Sequence, residues 1–208
     1  MELEKELSKA LEELRNEKQR KFDQSVDLII NLQKFDPKKN PINLFIQVPY
    51  KIKDKKICAF LESKRKNVET ITPEEFKRYS DKKEAKKLSK KFDFFIAEAR
   101  LMPSVATNFG RVLGPAGKMP SPQLGIVMNN NEEEINEVKN KINNNVRIRV
   151  KEPSIKLCIG KQSMKDGEII ENILLVYNSV LKVLPRNKEN IRNVEIKFTM
   201  TKPKKVKF

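Results

Sequence analysis

The chain has 208 residues, with 44 Lys or Arg against 28 Asp or Glu and no His, a formal net charge of +16. Charged side chains make up 35% and apolar ones 38%, against about 25% charged in an average domain, which leaves enough apolar residues for one or two cored domains and calls for an anionic partner, nucleic acid before others. The absence of His excludes His-dependent triads and His-ligated metal sites, and no apolar run approaches the roughly 20 residues of a membrane helix.

The first residues mix acids and bases with no apolar stretch, so neither a signal nor a transit peptide is expected, and the location is cytosolic or nuclear. Leu3, Leu7, Leu11 and Leu14 recur at helical spacing, which predicts a helix over 2–20 with one apolar stripe. Val26, Leu28, Ile30 and Leu32 alternate, the pattern of a strand covered on one side. Residues 35–41 form a turn, and 44–48 a second strand that Pro49 ends.

From about residue 55 short strands alternate with helices. A strand is predicted at 57–61. Thr72, Pro73 and Glu75 make a capped helix start, and that helix runs to about residue 91 with Lys86, Lys87, Lys90 and Lys91 at its dipole's negative end. A buried strand follows at 94–97 and a helix at 102–112. Another helix spans 131–143, with the stripe Ile135, Val138, Ile142, and a strand at 146–150 closes the region. This alternation points to a small parallel α/β domain. A strand at 155–159, a helix over 166–184 and a strand near 194–199 complete the chain. The two ends are each incomplete alone. Together they make one α+β domain, residues 1–52 with 151–208, into which a Rossmann-like α/β domain, 53–150, is inserted. Cys58 and Cys158 read as strand thiols; a disulfide between them would need a favourable fold.

Charge is uneven. Residues 1–50 are neutral, 51–100 carry +7, 101–150 carry +2 and 151–208 carry +7. The lysines of 51–91 read as a solvated face that attracts RNA without specificity. The Gly- and Pro-rich stretch 110–122 reads as a stiff loop whose glycines supply positive φ. It fails the phosphate-loop pattern twice, because Val112 and Met119 stand where Gly and Ser or Thr are needed. Arg111 and Lys118, beside Gly114 and Gly117, are left as phosphate contacts. Near the C-terminus, alternation places Glu195, Lys197 and Thr199 on one face and Ile196, Phe198 and Met200 on the other, ahead of a basic tail. A cation and a hydroxyl on one strand face suit a sugar–phosphate surface, and hydroxyl contacts to ribose favour RNA over DNA.

Several motifs in order resemble one known family. Leu-Gly-Pro-Ala-Gly-Lys-Met-Pro (113–120) resembles the signature of the L-one family of large-subunit ribosomal proteins. Lys-Phe-Asp-Gln-Ser-Val (21–26) resembles its N-terminal motif, Gly160 to Met164 its Gly-x-x-x-Met turn, and Phe-Thr-Met (198–200) its C-terminal Thr-Met-Gly. The likeness covers nearly the whole chain. Lys-Phe-Asp-Pro-Lys-Lys (34–39), Ala-Gly-Lys (116–118) and Thr-Lys-Pro (201–203) are closest to eukaryotic cytosolic members, called L-ten-a, with archaeal members also similar; bacterial members usually carry Leu where Lys118 stands. The chain departs at Thr201, where the family has Gly, and at Leu44 or Phe45, where a small polar residue is usual.

The resemblance implies a split first domain that holds large-subunit rRNA at the mobile stalk and a second domain that reaches toward exit-site tRNA. It implies an RNA surface of Lys21, Phe22, Ser25, Gly160, Lys161, Met164, Lys197, Thr199, Met200, Thr201, Lys202 and Lys204, and a tRNA-facing segment at Arg111, Gly114, Gly117 and Lys118. It implies a cytoplasmic, ribosome-bound protein with no cofactor, metal, membrane or obligate homo-oligomer. The alternatives are a free RNA-binding translational regulator using the same surface and, from another class, an anion- or nucleotide-binding enzyme.

Overall fold

The computed structural model describes residues 2–18, 20–65, 67–79, 81–128 and 131–207. Gln19 and Ser80, inside helices expected from sequence, and the terminal Phe208 lie outside the described residues. The chain divides into two compact units, residues 1–53 with 144–208, and residues 54–143.

In unit one, helix α1 (Glu2–Arg15) buries Leu7, Leu11 and Leu14 completely or nearly so. It ends earlier than predicted because no apolar residue follows at 16–18 to hold another turn. Strand β1 (Ser25–Leu32) alternates outward and buried residues as expected. Strand β2 (Asn43–Gln47) follows.

Unit two opens with β3 (Ile57–Phe60) and β4 (Glu69–Ile71). The predicted long helix is two pieces: a 3-10 segment, Pro73–Tyr79, and then α2 (Lys82–Lys91). The Thr72 N–H does donate to the Glu75 carboxylate, at 3.4 Å. Asp81 restarts the helix by accepting the Lys83 N–H at 3.1 Å. Then come β5 (Phe94–Glu98), α3 (Met102–Ala116), the short β6 (Ile126–Val127) and α4 (Glu132–Asn144). The parallel sheet has the order β4-β3-β5-β6. Its core is aromatic, with Phe60 and Phe109 ring centroids 4.9 Å apart and Phe76 edge-on to both. Cys58 is buried there, which pushes its thiol up to about 12 and leaves it unreactive.

Back in unit one, β7 (Asn145–Arg149) corrects the domain boundary read from sequence. It pairs antiparallel with β2, Leu44 opposite Ile148. Ile148 joins Ile42, Ile46 and Val48 in the first unit's core, so this strand does not close the inserted domain. Alternation identifies a strand but not its partner. β8 (Ser154–Lys161), α5 (Asp166–Val183) and β9 (Ile191–Phe198) follow. The expected basic tail instead forms β10 (Lys204–Val206), which pairs with β9 and buries Val206. The four-stranded antiparallel sheet has the order β10-β9-β1-β8. α1 packs on β9 and β10, α5 packs on β8, and the two helices touch. Both cysteines are free thiols, Cys58 in unit two and Cys158 on β8.

Candidate nucleic-acid interface

Antiparallel pairing decides where the motif residues of unit one meet. β1 runs against both β8 and β9, so its first residue lies beside their last ones. Ser25 is opposite Lys161, and Val26 is flanked by Gly160 and Phe198. Segments distant in sequence thus converge on one end of the sheet. Thr199 closes the seam: its N–H donates to the Ser25 carbonyl at 3.1 Å, and its hydroxyl oxygen accepts the Ser25 N–H at 3.0 Å.

A polar frame around the buried Gln24 holds this junction. Gln24 is only 2% exposed. Its Nε2 donates to Gln162 Oε1 at 3.2 Å, its Oε1 accepts the Met200 N–H at 3.1 Å, and its carbonyl accepts the Gln162 N–H at 2.8 Å. Asp23 accepts both the N–H and the hydroxyl of Ser163, at 3.0 and 3.1 Å, with the Lys161 ammonium 3.9 Å away. Arg15 spans the far side of the same turn. Its Nε meets Asp166 at 2.7 Å, and its two Nη atoms donate to the carbonyls of Gln162 and Met164 at 2.9 and 2.8 Å. Gly160 is buried, and a Cβ there would stand 3.2 Å from Ile169 and 3.3 Å from the Met164 sulfur. Glycine therefore lets Met164 lie close, where its sulfur accepts the Lys161 N–H.

Two large apolar side chains stand out beside this frame. Phe22 is 52% exposed and Met200 56%, with Lys21 and Lys202 exposed beside them in the chain. Met200 thus corrects the alternation, which had grouped it with buried Ile196 and Phe198. The strand ends at Phe198, and Thr201 folds the chain back: its Oγ1 accepts the Phe198 N–H at 2.9 Å. The non-glycine residues with positive φ, among those described, are Lys34 and Asn187. Thr201 therefore occupies ordinary backbone and closes a turn where the family's Gly stands.

Two expected contacts lie off this junction. Lys197 faces outward across from Asp27; burial raises the Asp27 carboxyl above its usual range, and the Lys197 charge partly offsets that. Lys204 is on β10, its ammonium 3.1 Å from Glu13 of α1.

The Gly- and Pro-rich stretch of unit two is also different from expectation. Most of it is helix: α3 continues through Gly110 and Gly114, because Val105, Phe109 and Leu113 bury one stripe, outweighing the ~1 kcal/mol cost of each helical glycine. Nothing lies within 4 Å of a Cβ built at either of these glycines. Gly117, at φ 69°, caps the helix: its N–H reaches Gly114 and the Lys118 N–H reaches Leu113, both at 2.9 Å. The Lys118 ammonium donates to the carbonyls of Ser89 and Phe92, at 2.6 and 2.7 Å, satisfying the C-terminal end of α2. Arg111 is exposed on α3. Structure thus gives Lys118 an internal task in place of the phosphate contact read from sequence.

Comparison with known proteins adds a family. The model of the Ribosomal protein L1p/L10e family matches residues 14–202. The chain belongs to this family. Its relatives include proteins named large ribosomal subunit protein uL1 from three archaea. That of Pyrobaculum islandicum is 36% identical, over 95% of this chain and 90% of the relative. That of Nanoarchaeum equitans is 36% identical over 89% and 92%, and that of Pyrococcus abyssi 34% over 91% and 90%. These are ribosomal proteins by name, not enzymes. Among the described residues no group of His, Cys, Asp or Glu could hold a metal, and no helix is long and apolar enough to cross a membrane.

Within this L1p/L10e chain, the motif residues Ser25, Gly160, Lys161, Met164, Thr199, Met200 and Thr201 share one end of the sheet. Sequence reading missed the residues that hold them there: Arg15, Asp23, Gln24 and Ser163. Gln24 lies inside a motif already singled out, but a buried polar side chain breaks no periodicity and leaves no signal. Arg15 is the last residue of an amphipathic helix and looks like any solvated cation.

Proposed function

We propose that the chain is a constituent of the large ribosomal subunit, that the sheet end of unit one grips large-subunit rRNA at the mobile stalk, and that unit two faces exit-site tRNA and assists release of the deacylated molecule. The observation that carries this is the convergence of the family's separate motifs on one end of the sheet, with Phe22 and Met200 exposed. Apolar side chains held out of the core suit the faces of unstacked bases and riboses. Lys21, Lys161 and Lys202 neutralise phosphates around them and release counterions. Phosphate contacts set position, while the shape of the junction selects a folded RNA.

The experiment is binding of the purified protein to a stalk rRNA fragment and to an unrelated RNA of equal length, across a salt series. The stalk RNA keeps a large advantage as salt rises; simultaneous release of both RNAs would reduce the interaction to net charge and overturn the reading. Thr199→Val removes the acceptor of the Ser25 N–H and weakens stalk binding by ~1–3 kcal/mol. Unchanged affinity of the folded variant would remove Thr199 from the surface. Absence of the protein from salt-washed large subunits, with specific RNA binding intact, would mark a free regulator.

A further inference from the structure

A second cationic feature of unit one lies away from the sheet end. Between β7 and β8 is a cleft of about 320 Å³, lined by Arg147, Arg149, Lys151, Glu152, Ser154 and Lys156 among others. Four of these side chains are cations and one is an acid. Arg147 and Arg149 project from the same face of β7, about 7 Å apart at ~3.3 Å per residue. Arg147 is held in place: its Nε donates to Asn43 Oδ1 at 3.1 Å, and its guanidinium lies over the Phe45 ring, 5.2 Å from the centroid. Burial and then the Arg149 charge both lower its pKa from the usual value, so the two like charges repel at close range. Among the described residues no carboxylate pairs with Arg149, Lys151 or Lys156. Clustered cations on a preset guanidinium plane are what a chain of phosphates satisfies, through paired N–H donors from each Arg.

We propose that the cleft between β7 and β8 is a second RNA-backbone site, taking phosphodiester groups through Arg147, Arg149, Lys151 and Lys156. The proposal rests on the reading above that the partner is RNA, and it gives that RNA a second point of attachment. Lys156 and Lys161 are on one strand, roughly 17 Å apart at ~3.3 Å per residue, so one folded RNA reaches both sites without leaving unit one. Phe45 is the platform on which Arg147 rests.

The test uses the full chain and the stalk rRNA fragment, with the unrelated RNA beside it. A triple variant, Arg149→Ala, Lys151→Ala and Lys156→Ala, changes exposed or rim side chains and leaves the thermal unfolding profile intact. A control triple, Lys5→Ala, Lys9→Ala and Lys182→Ala, exposed on α1 and α5, removes the same charge elsewhere. Deleting one cation that neutralises a phosphate lowers the slope of log affinity against log salt by about 1. The cleft triple therefore lowers the slope by about 2–3 and weakens both RNAs at low salt by more than tenfold, while the ratio between stalk and unrelated RNA stays within about threefold. The control triple leaves the slope nearly unchanged. Equal effects of the two triples, or no slope change in the cleft triple, would overturn the cleft site. Loss of stalk preference in the wild-type chain would instead overturn the ribosomal reading, while a slope change confined to the cleft triple would still place RNA backbone there.

Discussion

The sheet end of unit one and the Gly- and Pro-rich stretch of unit two are equally distinctive as sequence, and they are built on opposite plans. At the sheet end, a buried Gln24 ties the turns together from within while Phe22 and Met200 stay exposed. In the other region the polar groups themselves are spent internally. Gly117 supplies the left-handed cap of α3, and Lys118 closes the carbonyls of α2. A motif of unusual residues can thus mark a surface kept ready for a partner, or a joint that holds two helices. What separates them is where the hydrogen bonds go.

Removing the frame gives the largest effect. Gln24→Leu keeps the volume but leaves the Met200 N–H and the Gln162 side chain without their partner. We expect a loss of about 2–3 kcal/mol in urea unfolding, the cost of buried groups left unsatisfied, and a drop of more than tenfold in stalk RNA affinity as the 198–201 turn loosens. A variant that lost stability but kept full RNA affinity would show that Phe22 and Met200 do not need the frame, and the contrast between the regions would weaken.

The matching change in unit two should separate stability from binding. Lys118→Met removes an ammonium that two carbonyls share. Unit two loses about 1–2 kcal/mol, as for charge-assisted bonds that are partly solvated, read as earlier hydrogen exchange in α2 and α3. Stalk RNA affinity stays within about twofold, since the residue's donors point into the protein. Strongly reduced RNA binding with unchanged exchange would make the stretch an RNA surface and erase the distinction.

Particular residues show why the fold was legible and the frame was not. Val26, Leu28, Ile30 and Leu32 announce β1 because burial on one face imposes a two-residue period. The stripe of α1 is equally plain. Periodicity carries no information about partners, so β7 was joined to the wrong unit, and β10 was missed because Lys-Lys-Val is too short and too charged to show a period. Glycine and proline composition misled at 110–116, where burial of Phe109 and Leu113 overrides helix propensity. Of the site, the exposed members carried recognisable motifs. Arg15 lies in no motif, and Asp23, Gln24 and Ser163 lie inside motifs that do not show their roles, because those roles depend on contacts made only after the strands pair.

The smallest expected effect refines where the RNA surface stops. Asp27 shares its strand face with Ser25, two residues away, and sits opposite Lys197. Burial raises its carboxyl pKa, and Lys197 only partly offsets this. A carboxyl whose pKa is raised on folding favours the native state while protonated. That contribution is present below the unfolded value and is lost as pH rises through the folded one. Asp27→Asn abolishes the dependence: wild type gains on the variant as pH falls toward 3.8, while at pH 7 the variant is more stable by a few tenths of a kcal/mol, small because the carboxyl is half-exposed. The substitution also leaves Lys197 unopposed, so RNA affinity rises about two- to threefold if Lys197 borders the surface. Urea midpoints across the pH range and a binding isotherm decide it. Higher stability of the wild type at pH 7 would show the Lys197 pairing to outweigh burial, and unchanged affinity would end the RNA surface at Thr199.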